Sequence, residues 1–309
     1  VEFIGAVSKG LEGKELAEMG DMAEAGVVAF SDDGHYVENA AFMRRALEYS
    51  SMFNKMVIDH AEDITLTKNG HMHEGIVSYE LGVIGRPAVA EDLAVARDIL
   101  LSEMTGGHIH IAHVSSKNTV DMVRRAKAKG LNVTCEVTSQ HLSFTDEYLR
   151  EYNPAFKMAP PIRSEDHRQA LLEGLKDGTI DAIITDHAPH AYEEKDHEFC
   201  CAPNGFSGLE TSLAAVITNA YGPDKLSIDQ VVYYMSTRPA ELMHLDAGVL
   251  EVGKPADITV FSTTEKWTVD RNKFYTKGKV SPFDGMTVTG KAKLTVVDGK
   301  IVMKEGVVL

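Results

Sequence analysis

The feature that most constrains the fold is a repeated unit along the chain. A short run of apolar, mostly β-branched residues is followed in most cases by an acidic residue or a histidine, and then by a helical pattern. Six such runs occupy residues 2–7, 27–30, 56–58, 109–112, 133–137 and 180–184. Nearly continuous apolar strands that alternate with helices are typical of a parallel sheet covered on both faces.

Polar residues at the carboxyl ends of these strands favour a particular α/β fold, the (β/α)8 TIM barrel. An open doubly wound sheet is the alternative, but no Gly-x-Gly-x-x-Gly motif follows any of the strands. A closed barrel needs eight strands, and only about six can be recognised. We therefore predict an incomplete barrel, with two βα units expected upstream of Val1.

The pattern changes after about residue 245. The strand patterns at 256–261 and 294–297 have no helix between them, and Asp298-Gly299 is a strong hairpin signal. We predict a metal-dependent hydrolase barrel over residues 1–245 and a small β domain over residues 246–309.

Two helices are readable in detail. One begins after the capping residue Ser116, carries Val120 and Val123, and ends at Gly130. The other spans about 88–103, with a spacing that places four apolar residues on one predicted core face: Val89, Leu93, Ala96 and Leu100.

Composition excludes several classes of function. The 31 Lys and Arg against 46 Asp and Glu give a net charge of −15, so a nucleic-acid partner is not expected. The three cysteines, Cys135, Cys200 and Cys201, do not form a disulfide framework, which favours a reducing cytoplasm. No apolar run approaches the roughly 20 residues of a membrane helix, so no membrane partner is expected.

Strand parity places four polar residues on the same face as the apolar residues of the strands that they follow: Asp33, His60, His113 and Asp186. If these faces point into a barrel, the four side chains converge at its carboxyl end. Two imidazoles and two carboxylates suit Zn²⁺ or Mn²⁺, and a bound ion would supply hydroxide for hydrolysis. Asp and His also occur in helix caps and turns, so the residue types alone leave open a purely structural role for these four residues.

Other histidines have simpler interpretations. His71 and His73 lie in a segment with loop composition and are expected at the surface. His108 and His110 lie on the strand face opposite to that of His113, which favours packing or solvent. His141 is interpreted as structural or as a supporting residue, and the long loop around Cys200 as a substrate lid or a solvated insertion.

Six motifs in this order resemble those of one enzyme family, the bacterial dihydroorotases. They are Phe-Ser-Asp-Asp-Gly at 30–34, Asp-His-Ala-Glu-Asp at 59–63, Ala-His-Val-Ser-Ser at 112–116, Cys-Glu-Val-Thr at 135–138, Lys-Met-Ala-Pro-Pro-Ile-Arg at 157–163 and Thr-Asp-His-Ala-Pro-His at 185–190. The resemblance covers essentially the whole chain. Within the amidohydrolase superfamily, the chain resembles the class of dihydroorotases that has Asp in place of a carboxylated Lys.

The resemblance implies a pair of zinc ions that share a hydroxide. One zinc would be held by residues matching His60 and His113, with Asp33, rather than Asp32, as a bridge. The other would be held by Asp186 and by a His-x-His pair on a strand that this sequence does not contain. The second site is therefore predicted to be incomplete in the 309-residue chain, which is expected to be inactive alone.

The implied reaction is the reversible hydrolysis of the cyclic amide of dihydroorotate to N-carbamoyl-L-aspartate, in de novo pyrimidine biosynthesis. Metal hydroxide would attack the ring carbonyl, and Asp186 would take the proton and return it to the leaving nitrogen. His190 matches a contact to the substrate carboxylate, and the backbone at Asn204 and Gly205 matches a contact to the ring. Ala159 stands where many relatives have Asn.

Two other functions are weighed against this one. A non-catalytic relative could act as a scaffold for aspartate carbamoyltransferase, but a scaffold has no chemical reason to keep Asp33, His60, His113 and Asp186. A hydantoinase or allantoinase would normally carry a carboxylated Lys. A homodimer is the expected assembly of the enzyme.

Overall fold

A computed structural model describes all 309 residues, Val1–Leu309, and contains twelve strands and eleven α-helices. The strands are β1 (Ile4–Gly5), β2 (Ala29–Ser31), β3 (Val57–Asp59), β4 (Met72–His73), β5 (Gly85–Arg86), β6 (Ile109–Ile111), β7 (Val133–Thr138), β8 (Ala182–Ile184), β9 (Ile258–Thr268), β10 (Thr287–Val297), β11 (Lys300–Lys304) and β12 (Val307–Val308). The helices are α1 (Met19–Glu24), α2 (Ala40–Ser51), α3 (Ile64–Thr67), α4 (Ile76–Leu81), α5 (Val89–Thr105), α6 (Lys117–Ala128), α7 (Glu165–Lys176), α8 (Tyr192–Lys195), α9 (Ser212–Asn219), α10 (Ile228–Val232) and α11 (Arg238–Leu242).

The six predicted strands form one sheet in the order β1-β2-β3-β6-β7-β8. Neighbouring strands from β1 to β7 pair in parallel, with Ile58 of β3 opposite His110 of β6, for example. Helices follow the strands, which confirms the predicted α/β class and the incomplete barrel. Parallel pairing brings the carboxyl ends of the strands to one edge, where the candidate site lies.

The chain divides into two compact units. The first comprises Val1–Val137, Thr145–Glu147 and Pro160–Asp181. The second comprises Thr138–Phe144, Tyr148–Ala159 and Ala182–Leu309. The boundary at residue 245 that was inferred from the strand patterns stays a prediction.

Both predicted helices of the first unit are present. In α6, the Ser116 side chain accepts a hydrogen bond from the Asn118 amide, and Val120 and Val123 are buried as expected. Gly130 follows the helix with φ 76°, a left-handed conformation that glycine adopts without steric cost.

The predicted core face of α5 is wrong. Three of its four residues are largely exposed, including Leu93 at 51% and Leu100 at 64%. The helix instead buries Val95 and Ala94 together with polar residues, among them Glu91, which binds the loop after β6. The apolar stripe is present, but the buried face of the helix is the one that also carries Glu91, Asp92 and Asp98.

The second unit ends in an antiparallel sheet of order β12-β11-β10-β9, the predicted β appendage. At the predicted hairpin, Val297 pairs with Lys300, and Asp298 and Gly299 have φ 49° and 73°. Two consecutive positive φ angles match the tight hairpin turn that an Asp-Gly pair favours. Helix α9 packs against β10, where a Cβ on Gly290 would lie 2.8 Å from Ile217.

No helix in the structure combines the length and apolar character needed to cross a lipid bilayer.

Candidate metal centre

Three side chains from neighbouring strand ends meet in the first unit. Asp33 follows β2, His60 directly follows β3, and His113 follows β6. His60 Nδ1 lies 3.0 Å from His113 Nε2 and 3.3 Å from Asp33 Oδ1, and His113 Nε2 lies 3.2 Å from the same oxygen. Strand parity predicted these three residues, together with Asp186, for one site, and the structure brings the three together.

This triangle of ligand atoms fits a small divalent cation. Zinc binds imidazole nitrogen at about 2.0–2.1 Å, so tetrahedral ligands around it lie roughly 3.3 Å apart. The three edges here are 3.0, 3.3 and 3.2 Å. An ion on one side of the triangle could therefore contact all three atoms.

The electrostatics of the triangle also suit a cation. Burial raises the pKa of Asp33, but hydrogen bonds from His113 and His60 lower it by more, so the net pKa is well below its ordinary value and the group is ionised. Two imidazole nitrogens that face each other at 3.0 Å need a proton or a cation between their lone pairs. A donor set of two nitrogens and one carboxylate oxygen is typical of zinc and manganese sites.

Asp32 lies next to Asp33 but has other partners. Its carboxylate is 2% exposed and accepts hydrogen bonds from the amides of Val7, at 2.8 Å, and Ser8, at 3.0 Å. It therefore anchors the segment after β1 and takes no part in the triangle.

The turn that carries His113 is fixed by buried charges. Glu91 of α5 accepts hydrogen bonds from the amides of Ser115, at 3.0 Å, and Ser116, at 2.9 Å. The Arg163 guanidinium donates to Ser115 Oγ at 2.8 Å and lies 3.5 Å from Glu91. Neither Glu91 nor the role of Arg163 is predicted from the sequence, because no local pattern marks a buried ion pair between distant segments.

A cavity of about 400 Å³ in the first unit adjoins the triangle. Its walls include His60, Glu62 and Tyr36. Glu62 is buried and accepts a hydrogen bond from Arg86 at 3.0 Å, so its charge is already paired. Of the three candidate ligands, His60 lines this cavity.

In the second unit, Asp186 follows β8 and has φ 41°, a left-handed conformation that it shares with His113, at φ 33°. Residues other than glycine rarely have a positive φ, and those that do often occur at functional sites. The Asp186 side chain is partly buried. Its assignment as a metal ligand and proton carrier stays a prediction.

The three predicted substrate-binding residues are neighbours in the second unit. His190 Nε2 donates to the Asn204 carbonyl at 2.8 Å. Gly205 has φ 105°, and a Cβ there would lie 2.7 Å from the Ala188 side chain. Only glycine fits this position, which brings the backbone of residues 204–205 against the segment 185–190.

The surface position expected for His71 and His73 is wrong for His73. Met72 and His73 form β4, and His73 is 6% exposed. Burial, and then the charge of Arg163, lower its pKa to about 3. The composition of this segment predicts a loop, whereas the structure has a short buried strand that pairs with β5.

Two further histidines, His110 and His141, have hydrogen-bonding partners in the structure. His110 is buried, with Nδ1 2.7 Å from Thr134 Oγ1 and Nε2 3.1 Å from Glu136. His141 Nδ1 lies 2.8 Å from Thr138 Oγ1. Neither residue belongs to the triangle of Asp33, His60 and His113.

Comparison with known proteins gives consistent matches. The amidohydrolase family model matches residues 6–302. A protein named dihydroorotase from Syntrophus aciditrophicus is 48% identical over 302 residues, which is 98% of this chain and 71% of that protein. A dihydroorotase from Acetivibrio thermocellus is 47% identical over 306 residues, with 99% and 72% of the two chains covered.

Solved structures give the same fold. An L-hydantoinase (dihydropyrimidinase) from Arthrobacter aurescens superposes with a TM-score of 0.87 at 30% identity, covering 100% of this chain and 71% of that one. A dihydropyrimidinase from Brevibacillus agri superposes with a TM-score of 0.85 at 23% identity, with 100% and 70% covered.

Proposed function

The chain belongs to the amidohydrolase family, and from this we propose that it serves as a dihydroorotase, which reversibly hydrolyses the cyclic amide of dihydroorotate to N-carbamoyl-L-aspartate. The observation that carries the hydrolytic part is the triangle of Asp33, His60 and His113, whose edges fit a divalent metal. The choice of substrate is supported by relatives at 44–48% identity that are named dihydroorotase. The proposal places the reaction in the cytoplasm, in pyrimidine biosynthesis.

Zinc is the metal that we propose. A bound zinc would lower the pKa of a water molecule toward neutrality and supply hydroxide. His60 and His113 would hold it through imidazole nitrogen, and Asp33 through one carboxylate oxygen that is ionised before the metal arrives. Asp186 is proposed as a further ligand, toward a second zinc.

The proton and the substrate are assigned to residues of the second unit. The Asp186 carboxylate would take a proton from the attacking water and deliver it to the ring nitrogen that leaves. His190 would contact the substrate carboxylate, and the backbone at Asn204 and Gly205 would contact the ring. The short contacts among these three residues support a shared role.

A hydantoinase is the second candidate, because a solved L-hydantoinase superposes over the whole chain at 30% identity. The higher identity to dihydroorotases, 48% over 98% of the chain, favours dihydroorotate. A scaffold for aspartate carbamoyltransferase is disfavoured by the assembled ligand triangle. Homodimer formation is part of the proposal, as in the sequence-based expectation.

The test replaces the proposed proton carrier in the protein as its gene encodes it. We expect Asp186→Asn to lower kcat for dihydroorotate by about 10²–10⁴-fold, because the amide cannot accept the proton. Unchanged circular dichroism would show that the fold is intact. Asp224→Asn, at an exposed residue of the same unit, is the matched control and should keep the wild-type rate.

Near-normal turnover by the Asp186 variant would remove the proposed proton carrier. Parallel assays with dihydroorotate, hydantoin and allantoin decide between the two enzyme candidates. Preference for hydantoin by the wild-type protein would replace the proposed substrate.

A further inference from the structure

Two lysines of the second unit are buried. Lys157 is 4% exposed and Lys195, the last residue of α8, is 3% exposed. Lys157 Nζ donates to the carbonyls of Cys200, at 2.9 Å, and Ala202, at 2.7 Å. Lys195 Nζ donates to the carbonyl of Pro203 at 2.9 Å, with the Lys157 carbonyl at 3.4 Å. Together the two ammonium groups bind three carbonyls of the segment 200–203.

This arrangement is costly for Lys195. A buried ammonium is normally compensated by a carboxylate, whereas the hydrogen-bond acceptors of Lys195 are main-chain carbonyls. Burial, and then the charge of Lys157, lower the pKa of Lys195 to about 8. A methionine of similar length would fill the same space without that cost, so packing alone does not require a lysine here.

The segment that the lysines hold leads directly to the proposed substrate contacts. Asn204 follows Pro203, and its carbonyl accepts the hydrogen bond from His190 at 2.8 Å. The Gly205 amide donates at 2.9 Å to the carbonyl of Lys157, the same oxygen that Lys195 approaches. A shift of the segment 200–203 would therefore move His190, Asn204 and Gly205 together.

We propose that Lys195 is a positioning residue for substrate binding: with Lys157 it fixes the carbonyls of residues 200–203, and thereby the orientation of His190, Asn204 and Gly205. This inference rests on the proposed function, because it assumes that these three residues contact the substrate. Lys195 itself does not touch the reacting atoms in this proposal.

The experiment compares Lys195→Met and Lys195→Arg in the protein as its gene encodes it. We expect Lys195→Met to raise KM for dihydroorotate about tenfold while kcat changes by less than about threefold, since uniform binding is lost but the reacting groups stay. Hydrogen exchange of the amides in 200–205 should become about tenfold faster. Lys195→Arg, which keeps the charge and the donors, should restore most of the wild-type KM.

Lys225→Met is the matched control. Lys225 lies in the same unit and also donates to a main-chain carbonyl, that of Asn219 at 2.7 Å, but it is exposed and belongs to another segment. Its KM and the exchange of residues 200–205 should equal those of the wild type.

Unchanged KM and unchanged exchange in a folded Lys195→Met protein would overturn the inference. So would a fall of kcat and Tm in proportion, with no separate rise of KM, because that pattern indicates general destabilisation. If Lys195→Met does not fold, Lys195→Arg with wild-type KM and exchange supports the inference, and Lys195→Arg with raised KM contradicts it. A wild-type protein that does not hydrolyse dihydroorotate defeats the proposed function, while the exchange comparison still decides whether Lys195 fixes the segment.

Discussion

At the scale of single residues, Asp32 and Asp33 have opposite surroundings. Asp32 is 2% exposed and satisfied by main-chain amides, whereas the Asp33 side chain is 46% exposed and faces His60 and His113. Both residues follow the end of β2 at Ser31, and in the turn there one carboxylate anchors the chain while its neighbour is a candidate ligand. The three candidate ligands then owe their proximity to parallel neighbouring strands.

His113→Ala tests the ligand assignment at this scale. Loss of one of three ligands should weaken zinc binding by about 100-fold or more. This is more than the usual effect of losing a residue that only hydrogen-bonds to a ligand. Competition with a chromophoric chelator measures the affinity. His197→Ala, at an exposed histidine, should bind zinc as the wild type does, and equal affinity in both variants would contradict the site.

At the scale of elements, the two faces of α5 are expected to contribute differently to the free energy of unfolding. Val95 is 0% exposed and Leu100 is 64% exposed, although Leu100 belongs to the apolar stripe of the helix. We expect Val95→Ala to lower the free energy of unfolding by about 2 kcal/mol, and Leu100→Ala to change it by less than about 0.5 kcal/mol. Urea unfolding of the two variants measures both values, and the reverse order would mean that the helix is rotated.

The connection between β6 and α6 depends on Glu91. Replacing Glu91 by Gln leaves the buried Arg163 without its counter-charge, so we expect a loss of about 3 kcal/mol of unfolding free energy. The exposed pair of Arg44 and Glu48 gives the control, since Glu48→Gln should cost less than about 1 kcal/mol.

The Glu91 effect has a defined pH dependence. Burial raises the pKa of Glu91, but Arg163 and the hydrogen bonds from Ser115 and Ser116 lower it by more, to below its ordinary value of 4.5. The stabilisation is therefore complete above about pH 4.5 and is lost as the pH falls through the folded-state pKa. The difference in unfolding free energy between the wild type and Glu91→Gln should become smaller at acidic pH. If the difference does not change with pH, the charge of Glu91 is not its cause.

At the scale of the whole molecule, metal binding should stabilise the fold by mass action. Zinc at 100 times its dissociation constant would add about 2.7 kcal/mol. For a chain of 309 residues this corresponds to roughly 4 °C in Tm. Differential scanning calorimetry with and without a chelator measures the shift, and His60→Ala, which removes one of the three ligands, should show none.

Sequence by itself determined the alternation of strands and helices, because the side-chain period of a strand and of a helix is local and visible in the apolar pattern. It also determined the Asp298-Gly299 turn and the convergence of Asp33, His60 and His113, since parallel strands in chain order bring their carboxyl ends to one edge. What only the tertiary structure decided depends on contacts between distant segments. The burial of His73 beside Arg163, the inward face of α5 and the enclosure of Lys195 all depend on partners 24 or more residues away, and no local periodicity encodes such partners.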